Sequence, residues 1–184
     1  MKRQLTYGKL SLLVIDNSQD RILSGRKRYL SLLKASLPEL EKLLLKHFIH
    51  RKIERMEFSL SLCGSFKIRN LNKKYRKKDK VTDVLAFPLH ENFSRKNQFS
   101  PYLHLGDIFI CRQKAAEQSV KEGISLHAEY LHLFIHGFLH LLGMDHEKSL
   151  REAKYMESWE KRLNDRILHG WQSSFTEMAG SYPL

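Results

Sequence analysis

Three histidines interrupt one of the most apolar stretches of the chain, HGFLHLLGMDH, from His136 to His146. Residues four apart on a helix share a face, so His136 and His140 can turn their imidazoles toward one point. That spacing is how a helix offers two nitrogens to one metal ion. His132, four residues earlier, competes for the third place. Three successive rungs, however, extend about 12 Å along the axis at 1.5 Å per residue, whereas a zinc–nitrogen bond is about 2.0–2.1 Å. The third ligand must therefore come from chain that has left the helix. Gly143 offers the exit, because glycine takes the left-handed conformation that ends helices, and His146 follows three residues later. His136, His140 and His146 predict a site for one zinc ion with its fourth position open, the layout of a catalytic zinc. His132 is left a supporting or substrate-contact role.

One histidine on an apolar helix is usually a satisfied core residue; three at this spacing, with a glycine before the last, point to a metal. The pattern is similar to the extended zinc motif of metzincin proteases, H-E-x-x-H-x-x-G-x-x-H, with one departure. Gly137 stands where those enzymes carry their glutamate base. Without that carboxylate their usual mechanism cannot run. The predicted site keeps a metal and its water but has no protein base at this position, which turns attention to other substrates.

Charge narrows the substrate class. Thirty-two lysines and arginines against 20 aspartates and glutamates leave a net charge of +12. Such an excess attracts polyanions and makes a peptide the weaker choice. It gathers in KIRNLNKKYRKKDK, Lys67 to Lys80, where eight of fourteen residues are basic and only Asp79 opposes them. Two readings fit this stretch: a solvated loop or short helix, or a surface that neutralises phosphates, with Tyr75 available for stacking.

The elements that must position these residues alternate along the chain. GKLSLLVID, Gly8 to Asp16, reads as a first strand. Arg26 to His50 has helical spacing interrupted at Pro38, which predicts that Pro38 starts the main helix with Ser36 as a cap. RMEFSLSLC alternates, with Met56, Phe58, Leu60 and Leu62 on one side, as a half-buried strand does. VTDVLAFP, Val81 to Pro88, makes a third strand. LHENFSRKNQFSPY, Leu89 to Tyr102, reads as a mobile loop. HLGDIFICR makes a fourth strand, with Gly106 at a bulge or close backbone approach. Helices follow over QKAAEQSVKEG, over SLHAEYLHLFIHGFLHLL, and from about Ser149 to Leu168. The expectation is an α+β domain over 1–170, a small mixed sheet of roughly four strands with about five helices and the zinc site at the end of a central buried helix. Residues 171–184 are left as an unassigned C-terminal tail.

Length and composition agree with one folded domain: 184 residues, 42% hydrophobic and 28% charged, exclude a disordered or fibrous chain. No apolar run approaches the roughly 20 residues that span a bilayer, and the first residues lack a signal-peptide cleavage site. Cys63 and Cys111 lie in apolar alternation, which predicts packed, reduced thiols and a cytoplasmic protein without membrane partners.

Three blocks in this order, LNKKYRKKDKVTDVLAFP from Leu71, LGDIFI from Leu105 and HLFIHGFLHLLGMDH from His132, resemble the YbeY family. These are metal-dependent, single-strand-specific endoribonucleases of ribosomal RNA maturation. The resemblance runs from about residue 56 to 168. It implies that His136, His140 and His146 bind zinc, that Arg76 belongs to the active site, and that the RNA is ribosomal, at the small-subunit 3′ end and in ribosome quality control. It implies ribosomal subunits or assembly proteins as partners. Val81, Ala86 and Met144 stand where proline, serine and tyrosine are common in the family; none of these removes a ligand or Arg76, although Met144 takes away a phenol beside the metal.

On that reading His136 serves catalysis as a ligand, Arg76 holds the scissile phosphate, and Lys73, Lys74, Lys77, Lys78 and Lys80 grip flanking RNA backbone. Among the carboxylates, Asp107, Asp145 and Glu147 can each orient a ligand's second nitrogen or serve as a turn or cap residue, the reading favoured for Glu147, and Asp83 lines the cleft or caps a loop. Two other classes stay open: an RNA-binding ribosome assembly factor with a structural metal, and a metalloprotease drawing its base from elsewhere.

Overall fold

The computed structural model describes residues 1–16, 26–48, 53–90 and 101–179. Its strands are β1 (Lys2–Tyr7), β2 (Leu10–Asp16), β3 (Arg55–Cys63), β4 (Val84–Pro88) and β5 (Tyr102–Cys111). Its helices are α1 (Arg26–Leu43, prolonged by a π-helical turn, Leu44–Phe48), α2 (Ser65–Arg76), α3 (Arg112–Glu122), α4 (Leu126–Leu141) and α5 (Leu150–Ala179). The strands form one mixed sheet in the order β1-β2-β3-β5-β4. The inner pairs β2/β3 and β3/β5 are parallel, and the edge pairs β1/β2 and β4/β5 are antiparallel.

Period-two alternation divides the side chains between two faces. Met56, Phe58, Leu60 and Leu62 of β3 join Leu10, Leu12 and Val14 of β2 and Ile108 and Ile110 of β5 in the main core, against α1, α4 and α5. Phe58 stacks on Phe134 and meets Phe138, at centroid distances of 6.0 and 5.1 Å. The alternate residues Cys63 and Cys111 belong to a smaller cluster with Ile68 of α2 and Leu85 of β4, so α2 lies across the opposite face. Both thiols are free and buried.

The α+β class stands, with corrections. The sheet has five strands, not four: Gly8, at φ +51°, turns the chain between β1 and β2, and the carboxylate of Glu41 receives the Lys9 amide at 2.5 Å beneath that turn. KRQLTY escapes a pattern reading because it is an almost wholly exposed edge strand with no apolar alternation. Strand β3 is not half-buried; it is central, and Ser59, Ser61 and Cys63 are buried as well. Pro38 lies inside α1 and does not start it. A proline there removes one helical hydrogen bond at a cost of about 3 kcal/mol, but Leu32, Leu33, Leu37 and Leu40 on both sides of it are fully buried. Burial of four leucines, at about 1.5–3 kcal/mol each, outweighs the proline. Ser36 does not cap; its hydroxyl donates to Leu33 O at 2.6 Å.

Helix α5 runs through Gly170 to Ala179, so most of the expected tail is helical. Of the loop expected from Leu89 to Tyr102, residues 91–100 lie outside the described residues. Gly106 does mark a bulge, where the β3/β5 register shifts by one residue; at φ +138° a Cβ there would run into the Phe87 carbonyl.

Candidate metal centre

Helix α4 is capped by Ser125, whose hydroxyl accepts the Ala128 amide at 3.1 Å. Its apolar faces sink into the core, while His132, His136 and His140 lie on the remaining stripe. The helix comes unusually close to the sheet at Gly137, where a Cβ would stand 2.7 Å from Ile108 Cγ2. The position that holds the glutamate base in metzincins is thus pressed against β5, with no room for a longer side chain.

The exit after α4 follows from one glycine. Gly143, at φ +80°, donates to His140 O at 3.0 Å, and Met144 donates to Leu139 O at 3.2 Å, the paired bonds of a Schellman ending. Met144 is buried and anchors that turn in the core. Asp145 is a turn residue, its carboxylate accepting the Glu147 amide at 2.9 Å. The reversal brings His146 back to the helix. Ring centroids of His136, His140 and His146 lie 4.7–5.2 Å apart. One nitrogen from each falls within 4.8 Å of the others, and Nε2 of His136 and His140 are 3.1 Å apart. Two nitrogens bound to one tetrahedral zinc stand about 3.3 Å apart, so the donor set suits such an ion. His132, 6.4 Å from His136 by centroid, stays outside the group.

Electrostatics prepare the same nitrogens. Burial, reinforced by the neighbouring imidazoles of His136 and His146, pushes the His140 pKa down to about 4, leaving it neutral and able to ligate near pH 7. Nδ1 of His136 lies 2.6 Å from Oε1 of Glu160 on α5. Burial alone would raise the Glu160 pKa, but the bond to His136 and the surrounding histidines hold it below the ordinary value, so the carboxylate is charged. This carboxylate–histidine arrangement fixes the ring and turns its Nε2 toward the centre.

Glu160 was not read from the sequence as a site residue, although a signal exists. Met156, Glu160, Leu163 and Ile167 follow one helical stripe in which the other three are buried apolar residues, so the glutamate is out of place. Asp107, offered for this kind of role, accepts the Ser59 hydroxyl at 2.5 Å. Asp83 caps the start of β4: it takes the Val84 amide at 2.8 Å and the Gln118 amide group at 2.8 Å, and these bonds outweigh burial and lower its pKa.

The basic stretch is largely helical, and Arg76 is the last residue of α2. Lys77 follows in the left-handed conformation (φ 59°), its amide returning to Asn72 O, while the buried Asn72 side chain donates to Lys80 O at 2.8 Å. Tyr75 meets Phe87 of β4 edge-on at 5.0 Å, which ties this end of α2 to the sheet. Arg76 Nη2 then donates to Glu147 Oε2 at 3.2 Å, so Glu147, which lies in the turn after His146 as expected, is also the partner of Arg76. The lysines differ among themselves. Lys73 is engaged with Asp79 at 2.9 Å, which also binds Arg69 at 2.7 Å. Lys74 lies over the Tyr75 ring at 4.9 Å, and Lys77 donates to Lys74 O at 3.2 Å. Lys78 and Lys80 are exposed.

Comparison with known proteins places this geometry. A family model described as Endoribonuclease YbeY matches residues 14–168, from β2 through most of α5. The chain belongs to the YbeY family. An Endoribonuclease YbeY of Persephonella marina is 39% identical over 127 residues, 69% of this chain and 78% of that protein. One from Aquifex aeolicus is 43% identical over 115 residues, 62% and 73% of the two chains. The solution structure of TM1509 from Thermotoga maritima aligns with a TM-score of 0.56 at 26% identity, over 89% of this chain and 95% of that one. The YbeY match takes in Arg76, all three histidines and Glu160, and leaves β1 outside.

Proposed function

We propose that the protein is a single-strand-specific endoribonuclease using one zinc ion held by His136, His140 and His146. Its role is maturation of the small-subunit ribosomal RNA 3′ end and ribosome quality control, in the cytoplasm, with ribosomal subunits or assembly proteins as partners. The observation that carries the reading is the meeting of Arg76 with the loop of the third histidine, through Glu147 at 3.2 Å. Membership in a family of endoribonucleases and the net charge of +12 support it. No helix among the described residues is long and apolar enough to cross a membrane.

Bound zinc supplies Lewis acidity toward a phosphodiester oxygen or a water. Glu160 keeps the His136 ring in the orientation that a ligand needs. Arg76 offers a planar fork of donors that holds the scissile phosphate and offsets charge as it builds in the transition state. Lys74, Lys77, Lys78 and Lys80 grip the flanking backbone without reading bases, joined by Lys73 when phosphate replaces Asp79. Water and a ribose 2′-hydroxyl are both compatible nucleophiles.

The test uses rigorously purified wild type, Arg76→Ala and His140→Ala on single-stranded RNA. Cleavage by the wild type should fall by about a hundredfold or more in each variant. Undiminished cleavage by both variants sinks the reading. RNA binding without any chelator-sensitive product points to an assembly factor, and casein degradation lost in His136→Ala points to a protease.

A further inference from the structure

We propose that Glu147 is a placeholder for phosphate: its carboxylate occupies the anion position of Arg76 in the ligand-free protein, and an incoming phosphodiester must displace it. The inference rests on the role given to Arg76 above and adds to it a residue that sets substrate affinity. Arg76 Nη2 donates to Glu147 Oε2 at 3.2 Å, the one side-chain hydrogen bond of the guanidinium among the described residues. The two are 71 positions apart in sequence, so the pair is a product of the fold. Glu147 directly follows His146, and its backbone is held by the bond from its amide to Asp145 Oδ1 at 2.9 Å. The pair therefore joins the end of α2 to the loop that carries the third histidine.

Charge explains why this anion is there. Arg76 ends a helix whose last turns also carry Lys73 and Lys74, with Lys77 and Lys78 just beyond. The nearby Asp79 is already committed to Arg69 and Lys73. Glu147 is thus the carboxylate left to Arg76. The bond is long and single, between side chains 46% and 56% exposed, which makes it too weak to be a structural clasp. A phosphate group can offer two oxygens to the same guanidinium and replaces it readily. Exchange also frees a negative charge that would otherwise stand against the substrate, so Glu147 raises the concentration at which substrate binds without serving the bond-breaking step.

Wild type, Glu147→Gln, Arg76→Ala and the double variant decide the matter in two assays. Inorganic phosphate is titrated while the arginine Nε–H signals are followed by NMR, and kcat and KM are measured on single-stranded RNA. Glu147→Gln should bind phosphate about two- to fivefold more tightly, the range of an exposed ion pair. Its KM should fall by the same factor with kcat unchanged, and both gains should vanish in the Arg76→Ala background. Phosphate affinity that is unchanged or weaker overturns the proposal, as does a fall in kcat. A gain that persists without Arg76 also overturns it, because a general charge effect would then suffice. If no protein cleaves RNA, the endoribonuclease reading fails, and the phosphate titration alone still decides the role of Glu147.

Discussion

Nδ1 of His136 stands 2.6 Å from Oε1 of Glu160, so a candidate ligand on α4 is oriented by a helix that begins only after the third histidine has been placed. Residues that orient a metal ligand typically change metal affinity by about 10- to 100-fold. Glu160→Gln keeps an oxygen that can accept from Nδ1 but loses the charge, and should weaken zinc binding about tenfold. Glu160→Ala should approach a hundredfold. Competition against a zinc-binding dye reads both values, and unchanged affinity in the alanine variant would show that His136 holds its orientation without help.

The pH dependence of the metal-free protein follows from His140. Its folded pKa is pushed down to about 4, chiefly by burial, whereas the unfolded chain takes up the proton near 6.5. Between these values the unfolded state binds more protons, so stability falls as pH drops from about 6.5 to about 4 and this contribution is level below that. The loss is of the order of 3 kcal/mol at most. Urea unfolding of chelator-treated protein at pH 7 and pH 5 should show it, and His140→Leu should flatten the difference.

At Gly137 two effects oppose each other. An alanine would gain about 1 kcal/mol in helix propensity, but its Cβ, 2.7 Å from Ile108 Cγ2, forces a shift that costs about 1–3 kcal/mol. The net expectation for Gly137→Ala is a loss near 1 kcal/mol, or about 2–4 °C in Tm. In an Ile108→Ala background the methyl is gone and the same change should raise Tm. Gly137→Glu, which recreates the metzincin pattern, should unfold the site and yield no protease.

Lys77 takes a left-handed conformation that costs a side-chain-bearing residue about 1–2 kcal/mol. Lys77→Gly relieves the strain and should raise Tm by about 2–4 °C. On the proposed function it also removes one of the cations that grip the RNA backbone, so RNA affinity should fall and the slope of log K against log salt should shrink by about one. A lower Tm would mean that the lysine side chain stabilises the turn more than its backbone strains it.

Much of the centre was legible because its determinants are local. A helix repeats every 3.6 residues, so His136 and His140 share a face wherever the helix lies, and Gly143 ends it through its own backbone freedom. Strand β3 and the bulge at Gly106 were readable for the same reason. Pro38 misled because local propensity, worth a few kcal/mol, yields to four buried leucines supplied by elements far away in sequence.

Family resemblance, rather than spacing, brought Arg76 to the site, and the partners of these residues required the fold. The sequence by itself determined the grouping of three histidines that could hold a metal, the basic character of α2 and the absence of the metzincin base, since each depends on residue type and short-range period. Only the tertiary structure decided that Glu160 meets His136, that Asp107 accepts from Ser59, that Glu147 pairs with Arg76, and that Gly137 abuts Ile108. Hydrogen bonds and steric contacts of this kind act over about 3 Å, between groups 24 to 71 positions apart. Such distances exist only after the sheet and the helices on its two faces have packed.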